Sequence, residues 1–295
     1  MEWERAKNYI LVAFILLNLG LGAVILLDGR YTLTPERERN IRTVLDQNNI
    51  SLYRLPMRRF PPMLPLDVTG FYYDIDELLE MFFEDPATAE RFDSDDNILG
   101  APQRYDYRCG YSRLFVNNGF VTFWYDTRGL EHVRQSIAAS QEGITWEEAA
   151  VLTTEFIATH FPDFEHDITF DVDGGIRRIY LQVYRERPIF SNRIEFDISN
   201  YGIEWIEMRF GQVIGHGLVP RSIFAPDEVL LTFMQAMHHV EEPIIIQTID
   251  MVYFQGYPSL QSGSSYPAVP TYRIFMKGDD LPFLINAFTN TSLTF

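Results

Sequence analysis

The residues from Ile10 to Leu27 constrain this chain more than any other part of its sequence. They read ILVAFILLNLGLGAVILL, eighteen residues without a charge. At about 1.5 Å of rise per residue, a helix of this length spans roughly 27 Å, close to the thickness of the hydrocarbon core of a bilayer. A helix that is apolar on every side needs lipid or protein all around it. The stretch therefore predicts a transmembrane helix.

A permanent anchor is favoured over a cleaved signal peptide. The apolar region of a signal peptide usually covers about 7 to 15 residues and precedes a pair of small residues at the cleavage site; no such pair follows this longer stretch. We therefore expect a short tail at residues 1–8 and a transmembrane anchor at 9–28. The arginines that follow the helix favour a cytoplasmic C-terminal domain weakly, but large domains cross membranes largely regardless of charge. Physical reasoning alone therefore leaves the side of the remaining chain open.

The rest of the chain has the composition of a folded, acidic protein. Of its 295 residues, 46% are hydrophobic, and the formal net charge is −17. A chain this apolar can bury a sizeable core. Its acidity argues against a nucleic-acid partner, which would need a basic surface to neutralise phosphates. Cys109 is the single cysteine, so an intrachain disulfide is excluded.

Several helices are predicted from the residues at their N-termini. Thr34 before Pro35 is typical of a helix start, with the threonine as N-cap. Asp74 can cap a helix over Ile75–Phe83, whose apolar residues follow helical spacing. Thr145 and Glu148 have the spacing of a capping box. A further helix is predicted in the sequence APDEVLLTFMQAMHHV.

Strands rich in aromatic and β-branched residues follow these helices. The predicted strands include DITFDV, RRIYLQVYRE, NRIEFDI, EWIEMRFG and PTYRIFMK, separated by turn-forming residues. The fold class expected is α+β: an N-terminal transmembrane helix and then two α+β subdomains of antiparallel sheets with helices packed on one face. We place the subdomains at residues 31–138 and 140–295, with the boundary in the small, polar sequence SIAASQEG.

The sequence offers little support for catalysis or metal binding. It has no nucleophile elbow, zinc-protease motif, P-loop or dinucleotide fingerprint. Asp93, Asp95 and Asn97 match the first ligand positions of a calcium loop, but Ile98 and Arg104 stand where that loop needs glycine and glutamate. We therefore expect no metal and no cofactor.

Three further groups of polar residues have ordinary structural explanations. Asp171 and Asp173 are better explained by a hairpin turn than by metal binding. His238 and His239 are expected at a helix C-terminus, where histidine interacts well with the helix dipole. Cys109 lies among aromatic residues and is expected to be a buried, unreactive thiol.

Asn18 is the one polar residue within the apolar stretch. An amide in the middle of a bilayer is costly unless it has a hydrogen-bond partner. One interpretation is a hydrogen bond to the backbone of its own helix. The other is an interhelical hydrogen bond of roughly 1 kcal/mol. The sequence leaves both open.

Both ends of the chain resemble the YycI (WalI) family. The similarity rests on MEWERAKNYILVAFILLN at the N-terminus and on Ala268-Val269-Pro270, Tyr272-Arg273-Ile274 and Ile285-Asn286-Ala287-Phe288-Thr289 near the C-terminus. The chain departs from the family after Thr289, where Asn-Thr-Ser replaces the usual Gly-Glu.

The resemblance implies a function and a topology. Family members are single-pass, non-enzymatic membrane proteins of Gram-positive bacteria, with the soluble domain extracytoplasmic. They act with a sister protein, YycH, on the sensor histidine kinase of the WalK/WalR (YycG/YycF) system, which governs cell-wall homeostasis. The expected partners of this chain are a WalK-like kinase, a YycH-like protein and the lipid bilayer. Helical spacing places the expected partner-binding residues on one face of the span: Phe14, Leu17, Asn18 and Leu21.

Two other functions stay open at this point. The first is a membrane-tethered module that binds an extracellular ligand or a cell-wall fragment. The second is a tethered hydrolase, which would need a carboxylate pair or a zinc site assembled from residues distant in sequence.

Overall fold

In a computed structural model of the chain, the described residues are 7, 10–20, 30–53, 57–70, 74–83, 85–92, 105–117, 120–125, 144–209, 211–256 and 266–293. The fold is mixed α+β with a large, mainly antiparallel sheet. Residues 10–20 are helical. No helix within the described ranges combines the length and apolarity needed to cross a membrane. Residues 9 and 21–28 of the predicted anchor, Leu21 among them, lie outside those ranges.

The chain divides into two compact units, each assembled from separate segments. Unit 1 contains Met1–Met63, Pro220–Asp250 and Tyr272–Phe295, and unit 2 contains Leu64–Val219 and Met251–Thr271. This division differs from the predicted subdomains at 31–138 and 140–295. The reason is that helices and strands distant in sequence pack together, so that the C-terminal third of the chain contributes to both units. The predicted boundary itself lies at residues outside the described ranges.

The helices begin where the sequence predicts them. Thr34 accepts a hydrogen bond from the Arg37 backbone N–H, and Thr145 forms the predicted capping box with Glu148. Asp74 accepts a hydrogen bond from the Asp76 N–H, without a capping box. The helices are α1 (Pro35–Asp46), α2 (Ile75–Phe82), α3 (Trp146–His160) and α4 (Pro226–Ala236), with a short 3₁₀ helix at Pro86–Thr88.

The strands follow these four helices along the chain in consecutive groups of two, four, five and four. They are β1 (Ile50–Leu52), β2 (Leu66–Gly70), β3 (Glu90–Phe92), β4 (Tyr105–Cys109), β5 (Ser112–Asn117), β6 (Phe120–Tyr125), β7 (Phe164–Val172), β8 (Gly175–Tyr184), β9 (Arg187–Ser199), β10 (Gly202–Arg209), β11 (Gly211–His216), β12 (Ile244–Phe254), β13 (Tyr266–Met276), β14 (Phe283–Asn286) and β15 (Thr291–Ser292).

Unit 2 is built on an antiparallel sheet in the order β7-β8-β9-β10-β6-β5-β4-β3. Its main core lies on the face where α2 and α3 pack. There Leu78 of α2 and Ile157 of α3 join Phe123, Phe196 and Met208 of the strands in one buried cluster. Within this unit, helices on one face of an antiparallel sheet are the arrangement that the sequence predicts.

Unit 1 pairs two helices with the remaining strands. Strand β1 lies parallel to the start of β12, with Ile50 opposite Ile244. Helices α1 and α4 are in contact, and the Arg37 guanidinium donates two hydrogen bonds of 2.7 Å to the Asp227 carboxylate. The buried side chains of this unit include Leu45, Val229, Phe233 and Ile285.

Candidate functional site

The described part of the N-terminal apolar stretch is an exposed helix. Phe14 and Leu17 are 63% and 61% exposed, and the apolar residues Ile15, Leu16 and Leu19 are exposed to a similar degree. Exposed apolar side chains on every side of a helix are unfavourable in water, at about 25 cal/mol per Å² of surface. The helix therefore presents a surface that lipid or other helices could cover.

The predicted partner-binding residues lie on one face as far as the structure describes them. Phe14, Leu17 and Asn18 fall at helical spacing within residues 10–20. The Asn18 Nδ2 donates a hydrogen bond of 2.8 Å to the Phe14 carbonyl. The amide is thus satisfied in part by its own helix, which is the simpler of the two interpretations above. Its Oδ1 accepts no described hydrogen bond, so an interaction with a second helix would use that atom.

A second candidate surface lies on the unit 2 sheet, opposite the face where α2 and α3 pack. We call it the charged sheet face. Cross-strand pairing places its members on one side, since residues opposite each other in a ladder share a face. They are Arg177 of β8; Arg193, Glu195 and Asp197 of β9; Trp205, Glu207 and Arg209 of β10; Phe120, Thr122 and Trp124 of β6; Arg113 and Phe115 of β5; and Asp106 and Arg108 of β4.

Ion pairs connect the strands across the charged sheet face. The Arg177 guanidinium binds the Asp197 carboxylate through contacts of 2.5 and 2.7 Å. It also lies 5.0 Å from the Trp205 ring. Burial raises the pKa of Glu207, while the neighbouring Arg209 opposes that effect. The face carries five arginines and four carboxylates, a near balance in a chain of net charge −17.

A cavity of about 420 Å³ opens beside α3 in unit 2. Its lining combines aromatic and apolar side chains with one carboxylate, that of Glu204. This carboxylate accepts a hydrogen bond of 2.5 Å from the Ser199 hydroxyl. Among the described residues, Glu204 is the one carboxylate of this lining.

The other candidates from the sequence have the following positions. Within the described ranges no group of three or more histidine, cysteine, aspartate or glutamate side chains could hold a metal; Asp93 lies outside those ranges together with the rest of the calcium-like loop. Asp173 lies in the two-residue β7–β8 hairpin turn and Asp171 lies near the end of β7, as the prediction of a hairpin turn requires. The His238 Nδ1 lies 2.7 Å from the Gln235 carbonyl oxygen just after α4. Cys109 is half-buried, and its Sγ lies 3.2 Å from the Thr88 hydroxyl.

The charged sheet face was not predicted from the sequence. Its signal is present in β9 and β10, where charged residues occupy every second position, as in Arg193, Glu195 and Asp197. That alternation indicates one polar and one apolar face for each strand. Which side chains meet across strands follows from the register, for example Trp205 opposite Trp124, and the sequence does not specify it.

Comparison with known proteins places the fold but not a family. No protein-family model matches the chain, and no curated protein matches it. A crystal structure of an uncharacterized protein from Eubacterium rectale is similar over 83% of this chain and 90% of its own, with 9% sequence identity and a TM-score of 0.53. The fold is therefore shared with that protein.

Two further solved structures show a weaker likeness. The C-terminal domain of YpeB from Bacillus megaterium matches 77% of this chain and 97% of its own, at 8% identity and a TM-score of 0.43. YycH from Bacillus subtilis matches 83% of this chain and 61% of its own, at 14% identity and a TM-score of 0.42.

Proposed function

We propose that this chain is a membrane-anchored, non-enzymatic regulator of a cell-wall sensor histidine kinase, and that it acts together with a YycH-like protein. The observation that carries the proposal is the exposed apolar helix at residues 10–20, which continues in sequence as an uncharged stretch to Leu27. The resemblance of both chain ends to the YycI family supplies the identity of the partners.

The proposed topology follows the same resemblance. The N-terminal tail is cytoplasmic, the apolar stretch crosses the membrane once, and the remaining chain is extracytoplasmic. An acidic surface of net charge −17 is repelled by anionic lipid headgroups. That repulsion favours a soluble part that stands off the bilayer and meets proteins rather than lying flat on lipid.

Regulation requires only a modest difference in binding. A kinase with two conformations shifts toward the one its partner binds better, and about 1.4 kcal/mol of difference changes the population ratio tenfold. A hydrogen bond between transmembrane helices contributes roughly 1 kcal/mol, and packing adds to it. One face of the span is formed by Phe14, Leu17, Asn18 and Leu21. The binding free energy available at this face is therefore enough to shift the kinase toward one of its conformations.

The charged sheet face is the extracytoplasmic surface that best suits the YycH-like partner. Elsewhere the acidic surface repels other acidic proteins, whereas this face has nearly balanced charge and carries half-buried aromatic rings beside arginines. Aromatic residues and arginine are enriched at protein interfaces. An acidic partner that binds this face therefore meets little electrostatic repulsion. It also contacts side chains of the types that contribute most to binding.

The proposal is tested by a pull-down of the full-length chain from detergent-solubilised membranes. A chain whose residues 10–27 are replaced by polyleucine keeps the anchor and loses the specific helix face. We expect both chains to be recovered in the membrane fraction, and the kinase to co-purify at least tenfold less with the polyleucine chain. Equal recovery of the kinase with both chains would contradict the role of the span.

Asn18 gives a finer test of the same face. We expect Asn18→Leu to lower co-purification of the kinase several-fold, since about 1 kcal/mol of interhelical hydrogen bonding corresponds to roughly fivefold in affinity. Leu16→Val, on the opposite side of the helix, is the matched control and should leave co-purification unchanged. Unchanged association and signalling with Asn18→Leu would remove this residue from the interface.

A membrane-tethered ligand-binding or cell-wall-binding module is the alternative function. The observation that favours it is the cavity of about 420 Å³ beside α3. Aromatic walls with a single carboxylate suit a small ligand that has apolar and hydroxyl groups. This alternative needs the span only as a tether, so it predicts no difference between the native and polyleucine chains in the pull-down.

A further inference from the structure

Arg178 is a buried cation on the helix-covered face of the unit 2 sheet. It lies in β8, opposite Thr169 of the edge strand β7 and opposite Phe196 of β9. The whole residue is only 9% exposed, and its Nε is shielded from solvent. Across the described residues, the Arg178 side chain has neither a hydrogen bond nor an ion pair; its guanidinium lies 5.5 Å from the Tyr180 ring centroid.

This environment differs from those of Arg273 and Arg177, which both have a carboxylate partner. Arg273 is 3% exposed, and it donates hydrogen bonds of 2.9 and 2.7 Å to the Asp250 carboxylate. Arg177, the neighbour of Arg178 on the other face, binds Asp197. A buried charge without a partner costs several kcal/mol. In a chain with 41 acidic residues, a buried guanidinium without a carboxylate indicates a site that an external anion can complete.

Polar groups of β7 and α3 lie around Tyr180, whose ring is next to the guanidinium. The His166 Nε2 lies 2.8 Å from the Thr169 hydroxyl, and the His166 ring packs against Tyr180 at 5.5 Å. The Tyr180 hydroxyl lies 3.0 Å from the Thr153 hydroxyl of α3. The pKa of His166 is lowered mainly by burial and, to a smaller extent, by the positive charge of Arg178. The two side chains therefore interact electrostatically.

The edge position of β7 leaves the cluster accessible. His166 and Thr169 are exposed, and β7 pairs with β8 on one side only among the described strands. Since the Nε of Arg178 is shielded, a ligand that binds this side chain would do so through its Nη atoms. Two Nη donors match the two oxygens of a carboxylate or a phosphate.

We propose that Arg178, with Thr169 and His166, forms a binding site for an oxyanion, the carboxylate or phosphate group of a ligand. Arg178 supplies the charge through its Nη atoms. The Thr169 hydroxyl and the imidazole of His166 supply hydrogen bonds at the open edge. The site is distinct from the transmembrane face and from the charged sheet face, so its existence does not depend on the proposed regulatory function.

The site is tested on the full-length chain in detergent with sodium phosphate and sodium acetate at about 20 mM, each compared with sodium chloride at equal ionic strength. Because a ligand that binds only the folded state stabilises it, we expect the preferred anion to raise Tm by about 3 °C. A response to phosphate alone identifies a phosphate group as the ligand, and a response to acetate identifies a carboxylate. Anion binding should also raise the pKa of His166, followed by NMR, because it neutralises the charge of Arg178.

Two variants separate the site from a general salt effect. Arg178→Met keeps the length of the side chain and should abolish the anion-dependent rise in Tm. It should also raise the pKa of His166 without any anion. Arg185→Met, in the exposed β8–β9 turn, removes the same charge and should leave the anion response intact. An equal Tm in phosphate, acetate and chloride, or the same anion response in Arg178→Met as in the native chain, would overturn the proposal.

Discussion

Replacing Phe196 with alanine is expected to lower the free energy of unfolding by about 4 kcal/mol, near the upper end of the range for buried aromatic residues. Phe196 is fully buried in β9. Its ring lies 5.6 Å from both Phe156 of α3 and Tyr180 of β8, in edge-to-face geometry. The substitution removes both aromatic contacts and leaves a cavity that the antiparallel sheet cannot easily close.

Urea unfolding followed by circular dichroism measures this effect. The matched control is Phe115→Ala in β5, a half-buried phenylalanine of the charged sheet face, whose nearest described aromatic neighbour is Phe120 at 6.5 Å. We expect this control to cost about 1 kcal/mol, because less apolar surface returns to water. If both substitutions cost the same, the main core of unit 2 does not lie between α3 and the sheet.

Helix starts were predictable because their signals are local. Thr34 and Thr145 each accept a hydrogen bond from a backbone N–H three residues later, and such a contact depends on the adjacent sequence alone. The strands were likewise predicted from aromatic and β-branched residues. For the same reason, the α+β class and the packing of helices on one face of the unit 2 sheet follow from the sequence.

The division into units was not predictable in this way. Helix α1 contacts α4, and Arg37 binds Asp227, which lies 190 residues later in the sequence. No local pattern indicates that a helix near residue 35 will pack with one near residue 226. The sequence therefore suggested consecutive subdomains, whereas long-range packing assembles each unit from several segments.

The candidate sites differ in the same way, since one follows from local sequence and the other depends on long-range packing. The exposed apolar helix follows from composition, and Asn18 is conspicuous in it. The isolation of Arg178 depends on register, which places Thr169 and Phe196 beside it and, among the residues that the structure describes, no carboxylate within ion-pair distance. A shift of one residue in β7 would change those neighbours. Such a site becomes visible only when the pairing of three strands is known.

Replacing Asn192 with leucine is expected to cost about 3 kcal/mol, because it leaves buried polar groups without partners. Asn192 is 1% exposed. Its Nδ2 donates to the Gly211 carbonyl at 3.0 Å and to the Gln182 Oε1 at 2.7 Å, while its Oδ1 accepts from the Gly211 N–H at 3.2 Å. Gly211 approaches β2 so closely that an added Cβ would lie 2.5 Å from the Thr69 carbonyl oxygen. Asn192 thus fixes the start of β11 at a point where the backbone has little freedom.

Asn192→Asp distinguishes lost hydrogen bonding from lost packing. The new carboxyl would keep the acceptor for the Gly211 N–H, but when ionised it would face two carbonyl oxygens and repel them. Its pKa in the folded protein should therefore be raised above the unfolded value of about 3.9. A raised pKa means that the folded state binds the proton more tightly, so the variant loses stability as pH rises from about 4 toward 8. The native chain is the reference at each pH, and Asn192→Leu should be destabilised equally at both ends of that range. An Asn192→Asp variant with the same loss of stability at pH 4 and pH 8 would contradict this hydrogen-bond arrangement.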